Sequence, residues 1–128
     1  MFLMNILCID WWSENIWLAY SLGDQTVLPL WSISNDANTI FQISSYLQLK
    51  NIDRIVIGIP KDLYVQQKIQ KFVTELHTLL EPHQDLVYQN EDYSTIQAMT
   101  EFPNQSKNAQ DTISAMKILT EYIQHHQR

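Results

Sequence analysis

The amino-acid sequence predicts an α/β protein in which a mixed five-stranded sheet is covered by helices on both faces. Three observations support this fold class. Apolar runs separated by short polar breaks fill the first 31 residues, as is typical of an antiparallel meander. From residue 35 onward, β-branched runs alternate with stretches whose apolar residues recur every three or four positions. The first strand is apolar throughout, as expected when helices lie on both sides of it.

Three strands are predicted before the first helix. Residues 2–9 form the continuously apolar first strand, and residues 16–22 follow it after a short polar break. Gly23 begins a turn that leads into the third strand, residues 26–31. These short connections predict antiparallel pairing of the three strands in chain order.

The chain then alternates between helices and strands. Asn35 or Asp36 can cap a first helix that ends near residues 50–51. A β-branched strand over residues 53–60 is followed by an amphipathic helix over residues 65–80. Residues 85–89 form a fifth strand, and the helical connection between the fourth and fifth strands makes them parallel.

The remainder of the chain is predicted to be helical apart from one loop. Ser94 or Thr95 can cap a short helix, and residues 102–108 have the composition of a loop. A final helix is expected from about Gln110 to Gln124.

Composition limits the classes of function. The 128 residues predict a single domain over 1–128. Eight Lys and Arg against 14 Asp and Glu give a net charge of -6, so nucleic-acid binding would need a local basic patch or bound metal ions. Cys8 is the only cysteine, which excludes a disulfide framework, and no apolar run reaches the roughly 20 residues of a membrane span. We expect a cytoplasmic protein with no membrane partner.

Three acidic residues stand where predicted elements begin or end. Asp10 closes the first strand, Glu91 follows the fifth strand, and Asp111 begins the last helix. Functional sites in open α/β sheets form at the carboxyl ends of parallel strands, where Asp10 and Glu91 would meet. Two carboxylates about 4 Å apart repel by roughly 4 kcal/mol at an effective dielectric of about 20, so such a cluster favours a bound cation. Mg²⁺ or Mn²⁺ would suit these oxygen ligands and phosphodiester cleavage. The alternative is that all three are solvated acids at element ends.

Four segments of the sequence resemble the YqgF/RuvX family of Holliday-junction-resolvase-like nucleases. Residues 7–21 are similar to the family's opening strand and hairpin, and residues 55–60 to its Val-Val-Gly-Leu-Pro strand end. Residues 87–98 resemble its Asp-Glu-Arg-x-(Ser/Thr)-Thr segment, and residues 111–119 its closing Asp-x-x-Ala-Ala helix. The resemblance implies a ribonuclease H-like fold and a Mg²⁺- or Mn²⁺-dependent nuclease of structured RNA or branched DNA, including precursors of ribosomal RNA.

The resemblance also implies roles for individual residues. Asp10, Glu91 and Asp111 correspond to the family's catalytic, metal-binding acids. Ser94 and Thr95 match the segment after Glu91 and are expected to contact substrate.

Four further residues are candidates for substrate contact from their position. Trp11 and Trp12, beside Asp10, can form a stacking platform for unpaired bases; alternatively, one indole packs inward and the other covers the sheet edge or a partner. Lys61 and Lys107 are the best-placed cations for phosphate, and the alternative is that they are solvated surface lysines.

The sequence departs from the family pattern beside the first acid. Trp12, Asn15 and Trp17 stand where the family has a glycine, an arginine and a second glycine, and Asp92 replaces a further arginine. The bidentate phosphate grip of an arginine is therefore lost. The second hypothesis is accordingly a catalytically degenerate module that binds a protein partner, or a second copy of itself, through its Trp-rich surface.

Overall fold

The computed structural model describes residues 4–23, 26–90 and 107–126, without the side chains of Trp31, residues 107–113 and His126. Within these ranges the chain forms five strands and three helices. Their bounds are β1 Asn5–Trp11, β2 Asn15–Leu22, β3 Leu28–Ser34, α1 Thr39–Leu49, β4 Arg54–Ile59, α2 Leu63–His77, β5 Asp85–Asn90 and α3 Lys107–His126. None of these helices, as far as they are described, is long and apolar enough to cross a membrane.

The strands form one mixed sheet in the order β3-β2-β1-β4-β5. β1 pairs antiparallel with β2, and β2 with β3, while β4 lies parallel to both β1 and β5. The predicted mixed sheet is confirmed. β1 occupies the centre, consistent with its uniformly apolar sequence and with five consecutive buried residues.

Helices cover both faces of the sheet, and the two faces form separate apolar cores. Alternate residues of β1 point to opposite faces, so Leu7 and Ile9 pack under α1 and α2 while Ile6 and Cys8 pack under α3. On the α3 face the described side chains of the helix include five buried apolar ones, Ala115, Ile118, Leu119, Tyr122 and Ile123. Asp10 follows Cys8 by two residues in β1, so its side chain points to the same face of the sheet as that of Cys8, the α3 face.

Two helix starts differ from the sequence prediction. The N-cap of α1 is Asn38, with no side-chain cap bond, rather than Asn35 or Asp36. The reason is that Asp36 forms a turn instead, in which its carboxylate accepts from the Asn38 amide at 2.8 Å. α3 begins at Lys107, inside the predicted loop, since residues 107–110 contain neither proline nor glycine to stop a helix. Asp111 therefore lies in the second turn of α3 rather than at its start.

A polar contact fixes the position of α3 at the amino end of the sheet. The Arg54 guanidinium donates to the Tyr122 hydroxyl at 2.6 Å and to both carboxylate oxygens of Asp85 at 2.8 Å. The hydrogen bond to Asp85 is the main cause of a raised pKa for Arg54, so this group stays charged throughout the working pH range. Each buried leucine or isoleucine of α3 contributes about 1.5 to 3 kcal/mol, so these side chains together stabilise the helix more than this single bond does. The hydrogen bond mainly sets the register.

We expect Tyr122→Phe to lower the free energy of unfolding by about 1.5 kcal/mol, because it removes one hydrogen bond to a charged donor. Urea denaturation measures the change. Tyr64→Phe is the matched control, since its ring is 66% exposed and its hydroxyl can bond to water in either state. Equal stability of the Tyr122→Phe and wild-type proteins would contradict the anchoring role.

Candidate metal and nucleic-acid site

Asp10 is a buried acid near the carboxyl end of the central strand. It is the penultimate residue of β1, and only 2% of its surface is exposed. Trp17 lies directly opposite it on β2, and paired residues of antiparallel strands share a face of the sheet. The indole of Trp17 is buried as well, so one flank of Asp10 is apolar.

Gly58 lies on the other flank of Asp10. The parallel register of β1 and β4 aligns Ile9 with Ile57, which places Gly58 next to Asp10. Gly58 is buried and has no side chain, so the space above β4 at this level is not filled by its own residue. The surroundings of Asp10 are therefore asymmetric, with an indole on the β2 side and a glycine on the β4 side.

The direction of α3 determines where Asp111 lies. Tyr122 is held at the amino end of β4, and Ala115 is buried against the sheet, so the helix runs from Tyr122 back toward the carboxyl edge. The eleven residues from Asp111 to Tyr122 span about 16 Å of helix. From Ile6, the β1 partner of Arg54, to Asp10 the strand rises about 13 Å. The segment of α3 from Tyr122 back to Asp111 is therefore long enough to reach the level of Asp10.

The third acid lies just beyond the described part of β5. Glu91, Ser94 and Thr95 fall outside the described residues, but β5 ends at Asn90, one residue before Glu91. The centre of β5 is two strand spacings, about 10 Å, from β1. Within the described ranges, no group of three or more His, Cys, Asp or Glu residues is arranged to hold a metal ion.

The two tryptophans after Asp10 lie in different environments. Trp11 packs against the core under α1 and α2, and its indole nitrogen is buried without a hydrogen-bond partner among the described residues. Trp12 lies in the turn between β1 and β2, with 46% of its surface exposed. The structure thus leaves Trp12 exposed at the carboxyl edge, whereas Trp11 is partly buried against the core.

Asn35 holds the turn that carries Trp12. Its side-chain amide donates to the Trp12 carbonyl at 2.7 Å, and its backbone amide donates to the Glu14 carbonyl at 2.9 Å. The Trp12 amide closes the turn by donating to the Asn15 carbonyl at 3.0 Å. Sequence reasoning assigned Asn35 to a helix cap and missed this role, because the contact joins the ends of strands that are far apart in sequence.

The two candidate lysines both lie toward the carboxyl edge. Lys61 is exposed in the connection from β4 to α2, and Lys107 is the first residue of α3, with a side chain that is not described. Beside Lys61, a groove of about 350 Å³ opens between β4, β5 and α2. Sequence reasoning also missed this groove, whose polar lining includes Gln70 and Tyr88.

Solved structures of Holliday-junction resolvases share this fold. The Fowlpox virus resolvase, solved with its substrate Holliday junction DNA, matches with a TM-score of 0.65 at 13% identity, covering 98% of this chain and 100% of that one. RuvC of T. thermophilus, solved with a Holliday junction substrate, matches with a TM-score of 0.63 at 8% identity, covering 97% and 96%. The fold is thus that of the ribonuclease H-like resolvases.

The chain belongs to the RuvX family, described as Holliday junction resolvase, whose model matches residues 4–125. It is thereby a member of a nuclease family. A protein of Sulfurimonas denitrificans is 28% identical over 126 residues, covering 94% of this chain and 97% of that protein. One from Sulfurovum sp. is 27% identical over 126 residues, covering 94% and 98%. Both carry the name of a candidate pre-16S rRNA nuclease.

We predict that Asn35→Ala destabilises the turn between β1 and β2 that carries Trp12. Loss of one side-chain hydrogen bond worth about 1 kcal/mol should raise the hydrogen-exchange rate of the Trp12 amide about 5-fold. Asn38→Ala is the matched control, because that asparagine makes no side-chain cap bond. Amides of β4 should exchange at the wild-type rate in both variants. Unchanged exchange at Trp12 in Asn35→Ala would contradict the role of Asn35.

Proposed function

We propose that this protein is a Mg²⁺- or Mn²⁺-dependent phosphodiester hydrolase of structured RNA or branched DNA. The observation that carries the proposal is the burial of Asp10, which is 2% exposed near the carboxyl end of the central strand and lies beside Gly58 of β4. Membership of the RuvX family, described as Holliday junction resolvase, supports the same chemistry.

The surroundings of Asp10 fit a hard divalent cation. A buried carboxylate is costly in an apolar environment, by several kcal/mol, and a bound divalent ion offsets such a cost. Asp10 is 2% exposed, and its neighbour on the β4 side, Gly58, has no side chain that would compete with a ligand of the carboxylate. Carboxylate oxygens are the ligands that Mg²⁺ and Mn²⁺ prefer.

In this proposal, Asp10, Glu91 and Asp111 hold the metal. When bound, the ion activates water and stabilises the leaving oxygen during phosphodiester cleavage. Asp10 supplies a ligand from a rigid central strand, which keeps its position fixed during turnover. The burial of Trp17 excludes water from one flank of that ligand and so strengthens its electrostatic interaction.

The substrate is held by stacking and by a few local cations. Trp12 is exposed, and its carbonyl accepts a hydrogen bond from Asn35. It stacks an unpaired base, an interaction worth about 1 to 3 kcal/mol, while the partly buried Trp11 packs against the core. Lys61, Lys107, Ser94 and Thr95 contact phosphates. The named activity of both relatives favours precursor 16S ribosomal RNA in the cytoplasm over a DNA junction.

The exposed Trp12 also favours a second candidate function, a catalytically degenerate module that binds a protein partner or a second copy of the chain. Exposed aromatic side chains are common anchors of protein interfaces. The two candidates differ in their need for the acids, because only the hydrolase depends on Asp10.

We expect Asp10→Asn to reduce metal-dependent cleavage of a structured RNA or a four-way DNA junction by about 100-fold or more. Loss of a ligand carboxylate removes several kcal/mol of stabilisation from the transition state. The measurement compares initial rates with Mg²⁺, with Mn²⁺ and with EDTA.

Glu75→Gln is the matched control for the loss of one negative charge, since Glu75 is exposed on α2. It should cleave as fast as the wild type. Equal rates for wild type and Asp10→Asn would remove the hydrolase proposal. Absence of cleavage in all three proteins, with retained binding of a protein partner, would favour the degenerate module.

A further inference from the structure

The groove beside Lys61 lies on the opposite face of the sheet from Asp10 but at the same carboxyl edge. Ile59 and Asn90 are paired at the ends of β4 and β5, and both line the groove. Ile59 directly follows Gly58, the neighbour of Asp10, so the groove begins one residue from the proposed metal site. A short single strand that crosses the end of β4 can therefore reach both places.

The groove combines an aromatic ring with amide side chains. Tyr88 of β5 is 49% exposed, and its ring forms one wall. Gln66 and Gln70, one turn apart on α2, form the other wall. The Gln66 side chain is fixed because its amide nitrogen donates to the Pro60 carbonyl at 2.7 Å, which leaves its oxygen as an acceptor. A π-face together with amide donors and acceptors is the chemistry that recognises unpaired bases.

The adjoining helix terminus is unsuited to a phosphate. The N-terminus of α2 is capped by Asp62, whose carboxylate accepts from the amides of Tyr64 at 2.8 Å and Val65 at 3.2 Å. These amides are the groups that would otherwise bind an anion, and a negative charge already stands among them. Among the described residues that line the groove, Lys61 is the one cation. The lining therefore favours the base of a nucleotide over its phosphate.

The size of the groove limits its occupant. Its volume of about 350 Å³ lies at the lower end of the roughly 300 to 1,000 Å³ typical of small-molecule sites. It can admit a single nucleotide but not a duplex. An acidic chain with a net charge of -6 gains little from non-specific phosphate attraction, so stacking is a fitting source of affinity.

We propose that this groove binds one unpaired nucleotide of the substrate strand, with its base stacked on Tyr88 and hydrogen-bonded to Gln70. The inference deepens the proposed nuclease function, on which it rests for the identity of the substrate. It assigns a preference for substrates that have an unpaired nucleotide beside the cleaved bond, and it makes Tyr88 a specificity residue rather than a catalytic one.

The test measures binding of a short single-stranded RNA and of a fully paired duplex to the full chain in EDTA. Tyr88→Ala should weaken single-strand binding about 5- to 150-fold, because it removes the stacking of one base. Duplex binding should not change. Tyr88→Phe keeps the ring and should bind as the wild type does. Tyr64→Ala removes an exposed tyrosine that does not line the groove, and it should also bind normally.

A second measurement does not depend on the stability of Tyr88→Ala. In NMR spectra of the wild type, a nucleoside monophosphate should shift the amide signals of Tyr88 and Gln70, whereas ribose 5-phosphate should not. Equal shifts with both probes would overturn the proposal in favour of a phosphate site. Absent shifts together with normal binding by Tyr88→Ala would overturn it altogether.

The outcomes separate this inference from the nuclease proposal. Asp10-dependent cleavage without any effect of Tyr88→Ala would refute the groove alone. Tyr88-dependent binding of single strands without Asp10-dependent cleavage would refute the nuclease and leave the nucleotide groove standing.

Discussion

The placement of α3 across the sheet is the constraint on which the proposed site depends. Apolar side chains, among them Ile118 and Leu119, supply the larger part of its binding energy to the sheet, but such contacts are not directional. The hydrogen bond from Arg54 to Tyr122 is directional and selects one register. A slip of one helical turn would displace Asp111 by about 5.4 Å along the helix axis. A contact at the amino end of the sheet thus sets the register of a residue that we propose as a metal ligand.

The two faces of the sheet carry different groups at the carboxyl edge. Alternation along β1 and β4 points Asp10 and Gly58 toward α3, while the next residues, Trp11 and Ile59, point toward α1 and α2. A buried acid beside a glycine lies on one face, and an amide-lined groove with an exposed tyrosine lies on the other. If one face holds metal and the other binds an unpaired base, as we propose, the net charge of -6 is no obstacle to substrate binding.

The sequence was sufficient for the fold because its signals are local. Runs such as residues 53–60 and the periodic stripe of α2 predict their elements directly, and the order of elements limits the topology. Element ends were less predictable. The start of α3 at Lys107 and the N-cap of α1 at Asn38 differ from the prediction, because turn-forming and helix-forming residues alternate in both segments. The hydrogen bond from Asn35 to the Trp12 carbonyl and the groove at Tyr88 could not be predicted, since both depend on which strand ends become neighbours. The roles of Asp10, Glu91 and Asp111 stay predictions.

Anomalous diffraction from a crystal of this protein soaked in Mn²⁺ tests the proposed metal site most directly, because it locates the ion without reference to any substrate. We expect an anomalous peak within about 2.0 to 2.3 Å of carboxylate oxygens from Asp10, Glu91 and Asp111. A peak that Asp10 does not share, or Glu91 and Asp111 side chains directed away from Asp10 at saturating Mn²⁺, would contradict the shared metal site.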